Sequence, residues 1–459
     1  MRNQARPCFA LFFGNRGFFP GKLIAGAREA LLAAVRRNGF EAICMDESET
    51  RYGAVETPEE GRRFAGFLRA HEGEYQGVIL SLPNFGDENG ALEALRDVRT
   101  PILVQAFPDE AGKMDFENRR DSVCGKLAMC CALREAGIRF LQTESFAVSP
   151  DAPDFDRDLK RFAAVCPTKQ GMEHFHLGIF GARTTAFKTV RIDEIALHRH
   201  GIDTETIDLS TVFAMAEQAD AGKLREKQAL LASLSDFSAW PPEKLEHISR
   251  LAVATDELIE HYSLGAVAYR CWDETEKRYG VAPCLILGEL NERGIAAACE
   301  TDAANAVIMR ALTLASGSPV MLLDANNNYG CDGKRCILFH CGPAPRSMMR
   351  GPSHIEEHLM FRNSYGAGSG VGINVGGLTT ENGRLCALVA EGRVEDGDIE
   401  SAFFGIKTVF EPKNGSANDL LCHMAANGFR HHLAIARGHC ARAVQEALAG
   451  YLDYDVTVF

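Results

Sequence analysis

Two carboxylates, Glu300 and Asp324, lie in the segment GIAAACETDAANAVIMRALTLASGSPVMLLDANNNYG, which reads as strand, helix, strand, one βαβ unit. Each acid falls at the carboxyl end of a strand, the edge where open α/β sheets build their ligand sites. Neighbouring strands are about 4.8 Å apart, so two carboxylates at matched strand ends can hold one cation between them. On spacing alone a second reading competes: Glu300 caps the following helix, and Asp324 opens an Asn-rich loop at 326–328. Two acids need a third ligand to fix a divalent ion, and the late pair His431-His432 in GFRHHLAIARGH offers one, although adjacent histidines also suit an ordinary surface.

Two other groupings could bind zinc. Cys331, Cys336 and Cys341, with His340 alongside, have four-residue gaps and no second paired knuckle, which argues against a structural site. HIEEH at His354–His358 matches an inverted zinc-protease pattern, but that motif needs a long helix, and this copy lies between Gly351-Pro352-Ser353 and the Gly-rich run SYGAGSGVG.

The elements that must position these groups follow a clear rhythm. Over residues 1–170 short apolar runs (CFALFFG, EAICMD, GVILSLP, PILVQAF) alternate with amphipathic stretches, predicting helices near 22–38 and 58–71 and an open parallel sheet. A further helix is read in NRRDSVCGKLAMCCALREAGI, ending at Gly137, and the proline-bearing segment 148–172 reads as a crossing. A second α/β domain, 171–345, restarts at HLGIFG and carries the two acids on strands that look parallel and buried. In 346–459 the texture becomes Gly-rich and alternating, with a hairpin turn at Glu381-Asn382-Gly383 and a last helix from about Cys440 to Leu452. The predicted fold is therefore α/β: two open parallel-sheet domains followed by a mostly antiparallel β domain carrying the late histidines.

Bulk properties narrow the class. At 459 residues the chain is too long for one ordinary core. A net charge of -13 with scattered Lys and Arg leaves no basic field for nucleic acid. No window approaches the 18 or more apolar residues of a membrane span, and no signal-peptide pattern is found, so a cytoplasmic protein is expected. Fifteen cysteines, an odd number, fit reduced thiols in that compartment.

With these residues in hand, the chain resembles the L-fucose and L-arabinose isomerases. Glu300 and Asp324, 24 residues apart, look like that family's two metal acids. His432, followed by Gly438-His439, looks like its C-terminal metal histidine, while His431 stands where the family has Asn. His340, 16 residues after Asp324, lies near a further ligating histidine of the arabinose isomerases and is expected to be a fourth ligand or a substrate contact. The strong matches lie in 265–345 and 425–450, and the compact C-terminal domain suggests a shorter, divergent branch. GNRGFFPG, NRRDSVCGK and GARTTAFKTVRID resemble segments of that branch, which implies substrate roles for Arg16, Arg119, Arg120, Lys126, Arg183 and Lys188. Taken singly, each of these cations also reads as an ordinary solvated or ion-paired group.

The resemblance implies a manganese-dependent (or other divalent-metal) aldose–ketose isomerase of carbohydrate metabolism, a hexamer in which the first domain of one subunit closes over the site of another. A metal on O1 and O2 of the open-chain sugar stabilises a cis-enediolate, and Glu300 and Asp324 both ligate and serve as the acid–base pair. Oxygen-rich ligation with an imidazole suits manganese. The cations suit an anionic hexose such as sulfoquinovose, a glucose with a sulfonate on C6, as well as neutral L-fucose or arabinose. A competing reading is a cytoplasmic sugar-binding protein without catalysis.

Overall fold

The computed structural model describes residues 6–349, 354–355, 361–364, 371–395, 399 and 405–459. By its contacts the chain divides into two units, residues 2–170 and 171–459.

In the N-terminal unit, fully buried apolar runs become the parallel strands β1 (Cys8–Phe13), β3 (Gly77–Leu82) and β4 (Ile102–Ala106). With β2 (Glu41–Cys44) and β5 (Leu141–Gln142) they form one sheet in the order β2-β1-β3-β4-β5. Burial on both faces is why these strands read as continuous apolar runs rather than alternating ones. The predicted helices are present at Leu23–Arg37, Pro58–Ala70 and Ser122–Glu135. The second starts sharply because Thr57 and Glu60 form a capping box and Pro58 occupies the first turn.

The segment 148–172, expected to be a crossing, is instead mostly a helix, Pro153–Glu173, and the boundary between the units falls in its last turn. Pro153 costs nothing at a first helical position, and Phe155, Leu159, Phe162, Cys166 and Met172 recur at helical spacing as buried positions. Prolines that suggest a linker here mark a helix start and one interior exception, Pro167.

The second unit opens with a four-stranded parallel sheet, order β7-β6-β8-β9, from β6 (Phe175–Phe180), β7 (Ile202–Ile207), β8 (Leu264–Tyr269) and β9 (Ala296–Cys299). The expected βαβ unit then breaks: after the helix Ala303–Ser316, β10 (Val320–Tyr329) does not join β9 but enters a different, antiparallel sheet. There β10 pairs with β11 (Asp332–His340) and with the late strand β17 (His432–Arg437). The Asn-rich stretch 326–328 is accordingly strand, not loop.

That sheet contains β12 (His354–Ile355), β13 (Phe361–Ser364), β14 (Val371–Glu381), β15 (Arg384–Glu395), β16 (Ile406–Pro412) and β18 (Asp455–Val458). Since β16 pairs with both β11 and β15, the strands β11-β10-β17-β14-β15-β16 close into a six-stranded antiparallel ring. The β14–β15 hairpin turns at Asn382 (φ 51°) and Gly383 (φ 76°), the positive-φ pair that matches strand twist. His354 and Ile355 form a strand where a zinc-protease helix would be needed, and the rest of HIEEH lies outside the described residues.

The helix Ala303–Ser316 is buried almost all round, as an element packed on both sides must be. It packs against β8 and β9 on one side and against β14 and β17 of the ring on the other. Small residues permit the close approach: a Cβ on Gly376 of β14 would come within 3.0 Å of Ile308. Along β10 and β17, Val320, Leu322, Ala434 and Ala436 join the helix's cluster, while Met321, Leu323, Leu433 and Ile435 belong to a second core. Among the described residues no helix is long and apolar enough to cross a membrane.

Candidate metal centre

The period of two along a strand fixes where the acids and histidines point. Asp324 lies opposite His432 in the β10–β17 pairing, and both continue the alternate positions that face the helix Ala303–Ser316. Immediately after Asp324 the β10–β11 register shifts between Ala325 and Asn327, a bulge of the kind that re-aims side chains next to sites. Glu300 arrives from the other sheet, at the end of β9. Its φ is +61° and that of Thr301 is +59°, two successive left-handed residues, one of them β-branched. Such backbone costs of order 1–3 kcal/mol per residue and persists where the surroundings over-determine it.

These elements bring the predicted residues together. His432 Nε2 lies 3.1 Å from Glu300 Oε2 and 3.4 Å from Asp324 Oδ1. Glu300, His340 and His432 offer ligand atoms all within 4.8 Å of one another, as do Asp324, His431 and His432. His432 Nε2, Asp324 Oδ1 and His340 Nε2 are all buried without an aligned hydrogen-bond partner. Buried polar atoms are rarely left so, and His432 Nε2 and Asp324 Oδ1, 3.4 Å apart, are the pair that a cation would satisfy. Two carboxylates and an imidazole are the oxygen-rich donor set that suits a divalent metal of the manganese type, with the Cys341 thiol on the Nδ1 side of His340, 3.3 Å away.

Asp302, two residues after Glu300, has two tasks. It caps the helix, accepting the Asn305 backbone N–H at 3.1 Å, and Gly317 ends that helix with left-handed backbone. Its other oxygen lies 2.7 Å from His432 Nδ1 and also accepts from the Asn305 side chain. The carboxylate therefore keeps the His432 proton on Nδ1 and turns the Nε2 lone pair toward Glu300 and Asp324, the carboxylate–histidine–metal arrangement. The capping reading of Glu300 falls, because Asp302 holds that position.

Without a metal, a proton takes its place. Burial disfavours a charged His432, but Asp302 and Glu300 outweigh it and push the imidazole up to about 9. Burial likewise works against the Glu300 and Asp302 carboxylates, yet His432 holds both below their ordinary range.

Around this core, Trp272 Nε1 donates to Glu300 Oε1 at 2.9 Å, and the Phe187 ring packs 5.6 Å from His432, 5.9 Å from His431 and 5.2 Å from Trp272. His340 accepts the Cys341 backbone N–H at Nδ1, 2.9 Å, which leaves Nε2 as the edge facing the cluster. Sequence reasoning missed Asp302, Trp272 and Phe187. An acid two residues after Glu300 was the one usable signal. The Cys331, Cys336, Cys341 and His340 grouping does not gather as a ligand set among the described residues.

The remaining predicted cations have local partners. Arg183 donates to Phe187 O at 3.3 Å, and Lys188 lines a cavity with Arg191 and Arg430. Within the N-terminal unit, Arg16 donates to Gly86 O at 2.9 Å, pairs with Glu88 and lies over Phe85. Arg119 lies over Phe19 and 3.6 Å from Asp121, while Arg120 donates to Pro83 O at 2.7 Å. Lys126 is buried, which pushes it down to about 8, and it donates to Thr143 Oγ1 and Phe146 O. Three of these arginines therefore gather beyond the carboxyl ends of β1, β3 and β4, around the 83–86 loop.

Comparison with known proteins bears on both units. Residues 10–173 match the family described as Fucose/sulfoquinovose isomerase, N-terminal domain. The chain is 24% identical to a sulfoquinovose isomerase of Alkalicoccus urumqiensis, over 83% of this chain and 85% of that protein. It is also 24% identical to one of Clostridium sp. (strain MSTE9), over 74% and 77%. For one of Priestia aryabhattai the identity is 23%, over 86% and 88%. A periplasmic solute-binding protein from Actinobacillus succinogenes with bound D-allose aligns at a TM-score of 0.17 and 10% identity over 68% of this chain and 93% of that one, too slight a likeness to argue from. The resemblance read from the metal acids and the late histidine thus extends to the N-terminal domain.

Proposed function

Starting from a chain whose N-terminal domain matches that of the fucose/sulfoquinovose isomerases, we propose that it is a divalent-metal-dependent aldose–ketose isomerase, with manganese as the working metal and sulfoquinovose as the leading substrate. The observation that supports this most directly is the meeting of Glu300, Asp324 and His432, with Asp302 behind the imidazole.

Glu300, Asp324 and His432 would hold the ion, which when bound supplies Lewis-acid polarisation of the sugar carbonyl. Isomerisation moves one proton from C2 to C1 of the open chain, so it needs an ionised carboxylate within reach of both carbons. Glu300, held below the ordinary carboxylate range, is ionised at neutral pH and is oriented by Trp272. Asp324, at the bulge, shares the role. His340, with Nδ1 already accepting, carries its proton on Nε2 and would donate to a sugar oxygen rather than ligate. The apolar faces of Phe187 and Trp272 restrict water beside the reacting carbons. A hexamer and a cytoplasmic location belong to the same proposal, the latter in keeping with fifteen free cysteines.

The test is to incubate the manganese-loaded protein in deuterium oxide with sulfoquinovose, L-fucose and L-arabinose and follow ketose formation and C–H exchange by NMR. Ketose from one sugar, lost on chelation, is expected. Metal-loaded protein that binds sugar with neither exchange nor ketose would replace the proposal with a sugar-binding role.

A further inference from the structure

Beside the metal centre lies a cavity of about 640 Å³ whose lining includes Lys188, Arg191, Arg430, Thr379, Thr380 and Glu381. Three cations share it with one carboxylate. Among the described residues none of the three forms an ion pair, although surface arginines elsewhere in the chain commonly do. Lys188 and Arg191 are tied through backbone: Arg191 Nε donates to Lys188 O at 3.1 Å, and Arg430 Nη2 donates to Arg191 O. Arg430 Nη1 is buried with no partner. Like charges gathered at one cavity repel unless an anion enters.

Two of the three segments that line the cavity lead into the metal centre. Arg430 precedes His432 by two residues, so their Cα atoms are at most about 7 Å apart. Lys188 follows Phe187, whose ring packs on His431 and His432. The loop is anchored to β14 by Asp193 N–H donating to Thr380 Oγ1 at 3.2 Å, which leaves the Thr380 hydroxyl proton free to donate into the cavity.

We propose that Lys188, Arg191 and Arg430 form an oxyanion subsite that holds the sulfonate or phosphate on the far carbon of a sugar whose carbonyl end lies at Glu300, Asp324 and His432. This rests on the isomerase reading for the identity of the near end only. Guanidinium forks and an ammonium match the three oxygens of a sulfonate, and the threonine hydroxyls complete the donor set. Glu381 at the rim opposes a dianion more than a monoanion, so sulfonate is favoured over phosphate.

The test uses the full-length, manganese-loaded protein and three probes that differ at C6: sulfoquinovose, glucose 6-phosphate and 6-deoxyglucose. Turnover and calorimetric binding are measured for the parent, Arg430→Gln and Lys188→Met; the second is a substitution of an exposed side chain that guards against misfolding of the first. The wild type should favour sulfoquinovose, and each variant should lower the ratio of sulfoquinovose to 6-deoxyglucose kcat/KM by roughly 10- to 100-fold, with manganese binding by EPR retained. A ratio unchanged in both variants overturns the subsite while turnover itself keeps the isomerase reading. If no probe is turned over, sulfoquinovose binding that both variants weaken keeps the subsite and removes the isomerase reading. Absence of any preference for the anionic sugars in the wild type, in binding and in turnover, overturns the proposal. A preference for glucose 6-phosphate would keep the subsite and overturn sulfonate as its ligand.

Discussion

Asp302 decides which nitrogen of His432 is presented, and the quality of the metal centre depends on that choice. Asp302→Asn keeps the shape but loses the charge that fixes the Nδ1–H tautomer. Manganese affinity should fall about 10- to 100-fold, the usual effect of removing an outer carboxylate from a ligating histidine. Calorimetry reads this directly, and an affinity within twofold of the parent would reduce Asp302 to a helix cap. A second expectation follows from the imidazole. In the metal-free protein His432 keeps its proton up to about pH 9, so a cation must displace it. Manganese affinity should therefore rise about tenfold per pH unit through the neutral range and level off near that value. The same raised value makes the metal-free fold more stable below about 6.5, with the benefit lost as pH climbs through about 9. Affinity independent of pH between 6.5 and 8.5 would contradict this.

The elements determine whether these residues meet at all. Glu300 rides on a parallel strand, Asp324 and His432 on antiparallel neighbours, and the helix Ala303–Ser316 carries Asp302 into the space between them. Strand types were legible because apolar runs and alternation are local signals. Partner choice was not: β10 has a parallel strand's apolar start, VMLLD, yet pairs with a strand more than a hundred residues later. The Asn382-Gly383 turn, by contrast, was readable, since only positive φ closes a two-residue hairpin without splaying the strands. Gly383→Val should cost about 1–2 kcal/mol through its forced left-handed backbone. Denaturant unfolding measures this, and a cost near zero would mean that the turn relaxes.

At the scale of the whole molecule, the order of α/β, α/β and antiparallel segments was readable from composition and periodicity, because each texture reports how many faces of a sheet are buried. The closed ring was not, since closure rests on the β15–β16 pairing, which no local pattern announces. The grouping of Glu300, Asp324 and His432 was legible through family likeness, whereas nothing in the sequence singled out Arg430, which the fold puts beside Lys188 and Arg191.

Closure of that ring also dictates when the centre can exist. Asp324 faces His432 only after β17 has inserted between β10 and β14, and β17 is made more than a hundred residues after β10. During translation the emerging chain thus carries its ligands far apart, with no pocket to offer a cation. On the proposed reading a metal would be chosen by the finished cradle, whose spacing and oxygen content can discriminate, and not by the unfolded chain, which would take whatever ion binds loose histidines and thiols most tightly.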